Sequence, residues 1–168
     1  MKNHRLYILL CALCKGMHPD KIPKLLYELI KNSRRSDRDL AKVLGFSQPT
    51  VTRTRRKLED ENFVLQYTAL PDFSKLGFEL AAFTFAQWLP GIESPYKWLE
   101  KDPRVVFVAE GSGLGKNAII FTMHRNHTEY SNFIVDLREK TKAHSVDSFT
   151  AALTGIKKQL NFANLEKV

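Results

Sequence analysis

The residues with the clearest chemical intent lie in SQPTVTRTRRKLED, Ser47 to Asp60. An α-helix advances about 100° per residue, so with Val51 at zero, Leu58 falls about 20° to one side and Asn62 about 20° to the other. That is the inward stripe. Pro49, Thr50, Thr52, Arg53, Arg56 and Lys57 fall on the opposite half, with Gln48 at the start of the helix. These residue types suit nucleic acid: Arg is bidentate to guanine, Gln to adenine, and Thr offers a hydroxyl and a methyl. Residues early in such a helix reach bases and later cations grip phosphate. Gln48, Thr50, Thr52 and Arg53 are therefore expected to read bases, and Arg56 and Lys57 to position. Ser47 belongs to the same interface. Arg55 sits about 40° off the stripe centre, where its stem can pack while its head reaches DNA backbone or a carboxylate such as Glu59. The bland reading is a solvated charged face in which Glu59, Asp60 and Glu61 pair with the cations one turn away.

Other candidates are weaker. Gly111 to Asn117, GSGLGKN, lacks the spacing of a phosphate loop, which has four residues between its glycines and Ser or Thr after the lysine. Flanked by apolar runs, it reads as a hairpin connection in which glycine supplies positive φ. Cys11 and Cys14 form one C-x-x-C with no second ligand pair, so two small apolar residues in a hydrophobic segment is the better reading. His124 and His127 have no Cys or carboxylate at ligand spacing and are expected to be surface or turn histidines. No catalytic pair, cofactor motif or metal cluster emerges; the chain is not expected to be an enzyme.

The elements that must carry the 47–60 helix can be read outward from it. Ser47 caps it and Pro49 occupies its first turn, where a missing N–H costs nothing. Before it, Ser36 caps a helix with Asp37 and Asp39 in its first turn. Leu40, Ala41, Val43 and Leu44 are expected to face inward, and Gly45 is the left-handed stop. A first helix from Lys24 carries Leu25, Leu26, Leu29 and Ile30 and runs out at Asn32-Ser33. Two short helices joined by Gly45-Phe46-Ser47, with a third ahead, form a helix-turn-helix. Arg34, Arg35 and Arg38 add charge where helix N-termini commonly meet phosphate.

Beyond Asn62 the pattern turns to strands: FVLQYTAL, then LAAFTFAQW, a short helix around Ser94 to Lys101, RVVFVAEG, NAIIFTMH, a helix from Thr128 to about Lys142, and a strand near Val146 to Leu153. From LAAFTFAQW onward this is βαββαβ, the ferredoxin-like order with both helices on one face. The expected fold class is α+β, a winged-type helix-turn-helix followed by a ferredoxin-like unit. Domains are expected at 1–23 (leader), 24–67 (helix-turn-helix), 68–78 (linker), 79–158 (ferredoxin-like) and 159–168 (tail).

The net charge of +8 is unevenly placed. Residues 1–67 hold 14 Lys/Arg against 7 Asp/Glu, a net of +7, and the rest hold 12 against 11. A basic first half points to a polyanion, with nucleic acid ahead of an anionic membrane surface. Leu6 to Leu13 is too short to span a bilayer, which needs roughly 20 apolar residues. A cytoplasmic location is expected.

From Asn32-Ser33-Arg34 through DLAKVLGFSQPTVTRTRRKLEDENFVLQYTAL the chain resembles the Lrp/AsnC family of regulators, its archaeal type in particular. Leu76-Gly77 and the second half resemble that family's RAM domain. The resemblance implies a transcription regulator that binds double-stranded palindromic DNA as a homodimer or larger homo-oligomer, with no cofactor and with a small-molecule effector such as an amino acid. It also places effector contacts near the hairpin, here Gly111, Gly113, Lys116 and Asn117; a cation or amide there suits an amine poorly. Arg55 stands where the family commonly has an aliphatic residue. Two alternatives share parts of this pattern: a sirohaem decarboxylase, which would need a His and an Arg lining a tetrapyrrole pocket and no basic helix face, and a non-specific architectural DNA binder.

Overall fold

The computed structural model describes residues 21–90, 95–156 and 162. The leader, its Cys11/Cys14 pair, Ser94 and most of the tail lie outside them. The chain forms two units, one holding the helices up to Ala69 together with residues 160–168 and one spanning Leu70–Gln159.

The first unit contains α1 (Lys21–Lys31), α2 (Asp37–Leu44) and α3 (Gln48–Asp60). The first helix begins three residues ahead of the expected Lys24, because Pro23 falls in its first turn, where no intrahelical N–H is required. Ile22, Leu25 and Leu29 of α1 close on Leu40 and Ala41 of α2 and on Val51 and Leu58 of α3, all buried. Each predicted cap forms. Ser36 Oγ accepts from Asp39 N at 3.1 Å, Gly45 takes φ 67°, and Ser47 Oγ accepts from Thr50 N at 3.4 Å. These signals bound α2 and α3 within a three-residue turn.

Three expectations fail here. Val43 is 59% exposed, because an eight-residue helix buries only Leu40 and Ala41, with Leu44 half-buried beside them. Asn62 leaves the inward seam altogether: α3 ends at Asp60, and Asn62 at φ 58° is an exposed turn residue that brings Phe63 and Val64 back onto the helical core. The strand expected over Phe63–Leu70 does not form. Its alternation of apolar residues is real, but no strand among the described residues pairs with its backbone, and Leu65 stays 85% exposed. No strand accompanies the helices within residues 21–69.

The second unit has β1 (Leu80–Gln87), α4 (Tyr96–Leu99), β2 (Val105–Gly113), β3 (Lys116–His124), α5 (His127–Thr141) and β4 (Ser145–Ala152). The sheet is antiparallel in the order β2-β3-β1-β4. This is the ferredoxin-like arrangement. Strand alternation sends Ala82, Thr84 and Ala86 of β1 and Ala118, Ile120, Thr122 and His124 of β3 to one face, where they meet Leu99 of α4 and Phe133 and Leu137 of α5. Small residues on the central strands let the helices approach. Asn126 caps α5 by accepting from Glu129 N at 2.8 Å, and Trp88 Nε1 donates to Thr141 Oγ1 at 2.9 Å at the other end of that helix.

Leu76-Gly77 is a turn with a purpose: Gly77 has φ 84°, and a Cβ there would stand 3.1 Å from Nη1 of Arg125, which lies over the Phe78 ring.

A candidate nucleic-acid interface

Helix α3 presents the face that its sequence implies. Gln48, Thr52, Arg53 and Arg56 are exposed, Thr50 and Lys57 half-buried, and Gln48, Pro49, Thr52, Arg53 and Arg56 line one shallow groove. Val51 and Leu58 are buried beneath it. Among the described residues, no ion pair joins Arg53, Arg56 or Lys57 to Glu59, Asp60 or Glu61. A solvated face laced by its own salt bridges is therefore not what α3 displays. Glu59 instead accepts from the Tyr67 hydroxyl at 2.7 Å. Burial first, then that hydrogen bond to a carboxylate, pushes the Tyr67 phenol up to about 12.

Not every expected contact residue is free to act alike. Ser47 Oγ lies 2.8 Å from Thr50 Oγ1, so one of the two hydroxyls at the helix start donates to the other. Thr52 Oγ1 donates to Asp37 Oδ2 at 2.7 Å, with Gln48 O 3.1 Å away as the alternative acceptor. Arg35 is bound to Glu28 of α1, which also holds Lys31 at 2.8 Å. Lys31 and Arg35 together hold the Glu28 carboxyl below its ordinary value. Arg34 and Arg38 flank the start of α2 exposed, with no acidic side chain in ion-pair range among the described residues.

The Arg55 head group takes the second of its two expected partners, a carboxylate, but on another helix. Its Nη1 lies 2.9 Å from Asp37 Oδ1, its Nη2 donates to Arg35 O at 3.2 Å, and its guanidinium stands 5.9 Å from the Tyr67 ring centroid. The carboxylate it reaches is Asp37 on α2, not Glu59 on its own helix. Arg55 thus ties α3 to the start of α2. The inward slot that an aliphatic residue would fill is completed by Thr54, 2% exposed, whose hydroxyl donates to Thr50 O at 2.8 Å. Sequence reasoning missed Asp37 and Thr54. Asp37 reads as an N-terminal helix acid, and only the packing of two helices shows that it is shared.

In the second unit, β2 and β3 join through Leu114 and Gly115, with φ of 52° and 67°. Positive φ at both turn residues is what a two-residue hairpin with right-twisted strands requires. The four residues expected near an effector sit on this hairpin. Gly111 and Gly113 lie exposed on β2, whereas Lys116 and Asn117 have partners: Lys116 Nζ is 2.7 Å from Asp147 Oδ2, and Asn117 exchanges hydrogen bonds with the Trp88 backbone, accepting at 3.1 Å and donating at 2.9 Å. His124 is not a surface or turn residue. It is the last residue of β3, 0% exposed, with Nε2 2.8 Å from Thr122 Oγ1 and Nδ1 without a partner. Its neighbours are Tyr130, Phe133 and, further off, the Asp102–Arg104–Asp136 network. Burial holds its imidazole below the usual value. His127 opens α5, exposed. No group of three metal-ligating side chains occurs among the described residues, and none of the described helices is long and apolar enough to cross a membrane.

The opposite face of the sheet carries a phenylalanine row that no α-helix among the described residues covers, while Leu153, Phe73 and Phe78 pack on Ala81 and Met123 of the same face. Phe107, Phe121, Phe83 and Phe149 stand directly opposite one another on β2, β3, β1 and β4, with Phe83 and Phe121 stacked at 4.8 Å. Phe107 and Phe149 are 53% and 66% exposed.

A capped helix pair whose outer cations Arg53, Arg56 and Lys57 have no acidic partner among the described residues, followed by a ferredoxin-like unit, has the form of a helix-turn-helix DNA-binding protein. Residues 21–59 match the AsnC-type helix-turn-helix domain. Over 135 residues the chain is 29% identical to an uncharacterized HTH-type transcriptional regulator of Pyrococcus horikoshii, covering 73% of this chain and 86% of that one. It is 40% identical over 60 residues to the leucine-responsive regulatory protein of Rhizobium meliloti, 36% of this chain and 38% of that one. The fold matches an AsnC family transcriptional regulator from Agrobacterium tumefaciens, with TM-score 0.72, 21% identity, and 83% and 92% of the two chains covered. It likewise matches a transcriptional regulator of Neisseria meningitidis solved as an L-Met complex, with TM-score 0.72, 20% identity, and 86% and 96% covered. Residues 21–59 thus carry an AsnC-type helix-turn-helix domain, and over about three quarters of its length the chain is similar to HTH-type transcriptional regulators.

Proposed function

We propose that this regulator acts in the cytoplasm as a homodimer or larger homo-oligomer on double-stranded palindromic DNA, with Gln48, Thr50, Thr52 and Arg53 facing base edges and Arg56 and Lys57 gripping phosphate. The observation that carries this reading is the exposed α3 groove, whose cations make no ion pair with the acids that follow them on the same helix. Ser47 holds the helix start in place, and Arg34 and Arg38 extend the phosphate contacts. Arg35, bound to Glu28, contributes through the positive field of the surface. A second copy covers the phenylalanine row of the open sheet, since apolar side chains in straight register across four strands are a self-complementary surface for a two-fold partner. A two-fold protein in turn selects a two-fold site.

The effector belongs to the same proposal. The Neisseria relative is complexed with L-Met, which makes amino acids the class to test. At the hairpin, a carboxylate ligand would compete with Asp147 for Lys116, while Gly111 and Gly113 leave room for close approach.

The test is selection of bound duplexes from a random pool, followed by titrations of the selected duplex and of random DNA at several salt concentrations. Arg53→Ala is expected to relax preference at one position of each half-site. Arg56→Ala and Lys57→Ala are expected to weaken every duplex alike and to lower the salt slope by about 0.9 each. Equal losses for all three variants on both kinds of DNA would overturn base reading by this face.

A further inference from the structure

We propose that Asp37 is a specificity-determining residue of this interface: by holding the hydroxyl of Thr52 inward, it leaves the Thr52 γ-methyl to recognise a thymine methyl. The proposal rests on the DNA-binding reading above and deepens it at one position.

A threonine hydroxyl carries one proton. For Thr52 both acceptors in reach belong to the protein, Asp37 Oδ2 at 2.7 Å and Gln48 O at 3.1 Å. The bond to the carboxylate is charge-assisted, hence the stronger of the two. The carboxylate is itself fixed, because its other oxygen meets Arg55 at 2.9 Å and Arg55 is anchored in turn on Arg35 O. Thr52 is nevertheless exposed and lines the groove with Gln48, Pro49, Arg53 and Arg56. What it offers DNA is therefore a methyl group and oxygen lone pairs, and no donor. Guanine presents only acceptors, N7 and O6, on its major-groove edge, so a donor-less Thr52 gains nothing from it. Thymine presents a methyl. Asp37 can hold this place near a polyanion because the Arg55 guanidinium offsets its charge.

The experiment uses the full-length chain and the duplex selected from a random pool, with thymines replaced one at a time by deoxyuridine. One thymine in each half-site is expected to show about a fourfold loss of affinity on replacement, the worth of one methyl group removed from water. Thr52→Val keeps the methyl and is expected to keep that penalty; Thr52→Ser removes the methyl and abolishes it. Asp37→Ala leaves the hydroxyl only the weaker, neutral acceptor Gln48 O, against which base acceptors can compete, so discrimination at that position falls toward the level of Thr52→Ser. Where Asp37→Ala does not fold, the pair Asp37→Ala with Arg55→Met serves, because it leaves no guanidinium without its partner. Persistence of the penalty in Thr52→Ser, or its loss in Thr52→Val, overturns the role of Thr52. An unchanged penalty without the carboxylate overturns that of Asp37. If no duplex is preferred over random DNA, sequence reading fails together with this proposal. If a duplex is preferred but deoxyuridine costs nothing, the proposal alone fails.

Discussion

Replacing Arg55 separates two jobs that an arginine on a DNA-facing helix can have. As a phosphate contact it would add affinity and salt dependence; as a strut between α2 and α3 it would add stability. The structure places it as a strut. Its side chain and that of Asp37 remain 22% and 19% exposed, and they meet at 2.9 Å. Exposed pairs contribute about 0–1 kcal/mol. Breaking a fully buried one costs about 3–5 kcal/mol. A pair about four-fifths covered, with a hydrogen bond to Arg35 O and a stem packed in the interior, lies between, so Arg55→Ala should destabilise the helical unit by about 2 kcal/mol. Hydrogen exchange in the full-length chain reads this locally: amides of α3 protected by whole-unit opening should exchange about 30-fold faster. The salt slope of DNA binding, measured below the onset of unfolding, should not change. Unchanged exchange with a slope lower by about 0.9 would refute the strut and return Arg55 to the phosphate grip.

His124 is neutral in the fold because burial lowers its pKa, with Arg104 adding to the effect and Glu129 and Asp102 opposing it. The unfolded chain therefore takes up the proton first. Its contribution to stability is complete above about pH 6.5 and is lost as pH falls below that toward the folded value, so thermal melts should show acid destabilisation that His124→Gln removes. Gly77→Ala should destabilise the sheet unit by about 1–2 kcal/mol, from a side chain forced to φ 84° near Arg125, visible as a lowered melting temperature. Phe149→Asp, which puts a charge at the exposed β4 end of the phenylalanine row, should give a monomer by light scattering with the native circular dichroism spectrum. A dimer of unchanged stability would show that the open sheet face is not the interface.

What the sequence made legible was whatever local chemistry dictates. Ser36, Gly45, Ser47 and Pro49 punctuate α2 and α3 because caps and turns are settled within three or four residues. The βαββαβ order could be read because the apolar runs of the strands and the helical stretch from about Thr128 follow one another in that order, although the Asn126 cap that starts α5 is not read from the sequence. Legibility ended where a residue's partner lies far along the chain. Arg55 reaches back 18 residues to Asp37, and no periodicity within 47–60 encodes that. FVLQYTAL has the pattern of a strand and, among the described residues, no strand to pair with, since alternation signals half-burial and not the presence of a neighbour. His124 reads as a turn residue because a histidine near a strand end is usually wet. It is dry because Tyr130 and Phe133 of the following helix close over it.

Asp37 and Arg55 also show why a charge count on a helix is a poor guide to its contacts. SQPTVTRTRRKLED holds four cations, and composition alone assigns them to DNA or to the neighbouring acids. The fold assigns them otherwise. Arg55 goes inward to an acid on another helix and carries Thr52 with it through a shared carboxylate, while Arg53 and Arg56 are left outward because no acid of the helical unit stands within their reach among the described residues. One internal pair thereby does two things: it sets how α3 lies on α2, and it decides which atoms of Thr52 the groove displays. A substitution at Asp37 should therefore change which base is preferred while leaving the phosphate-gripping cations untouched. The salt dependence of binding should stay constant as the preferred sequence shifts.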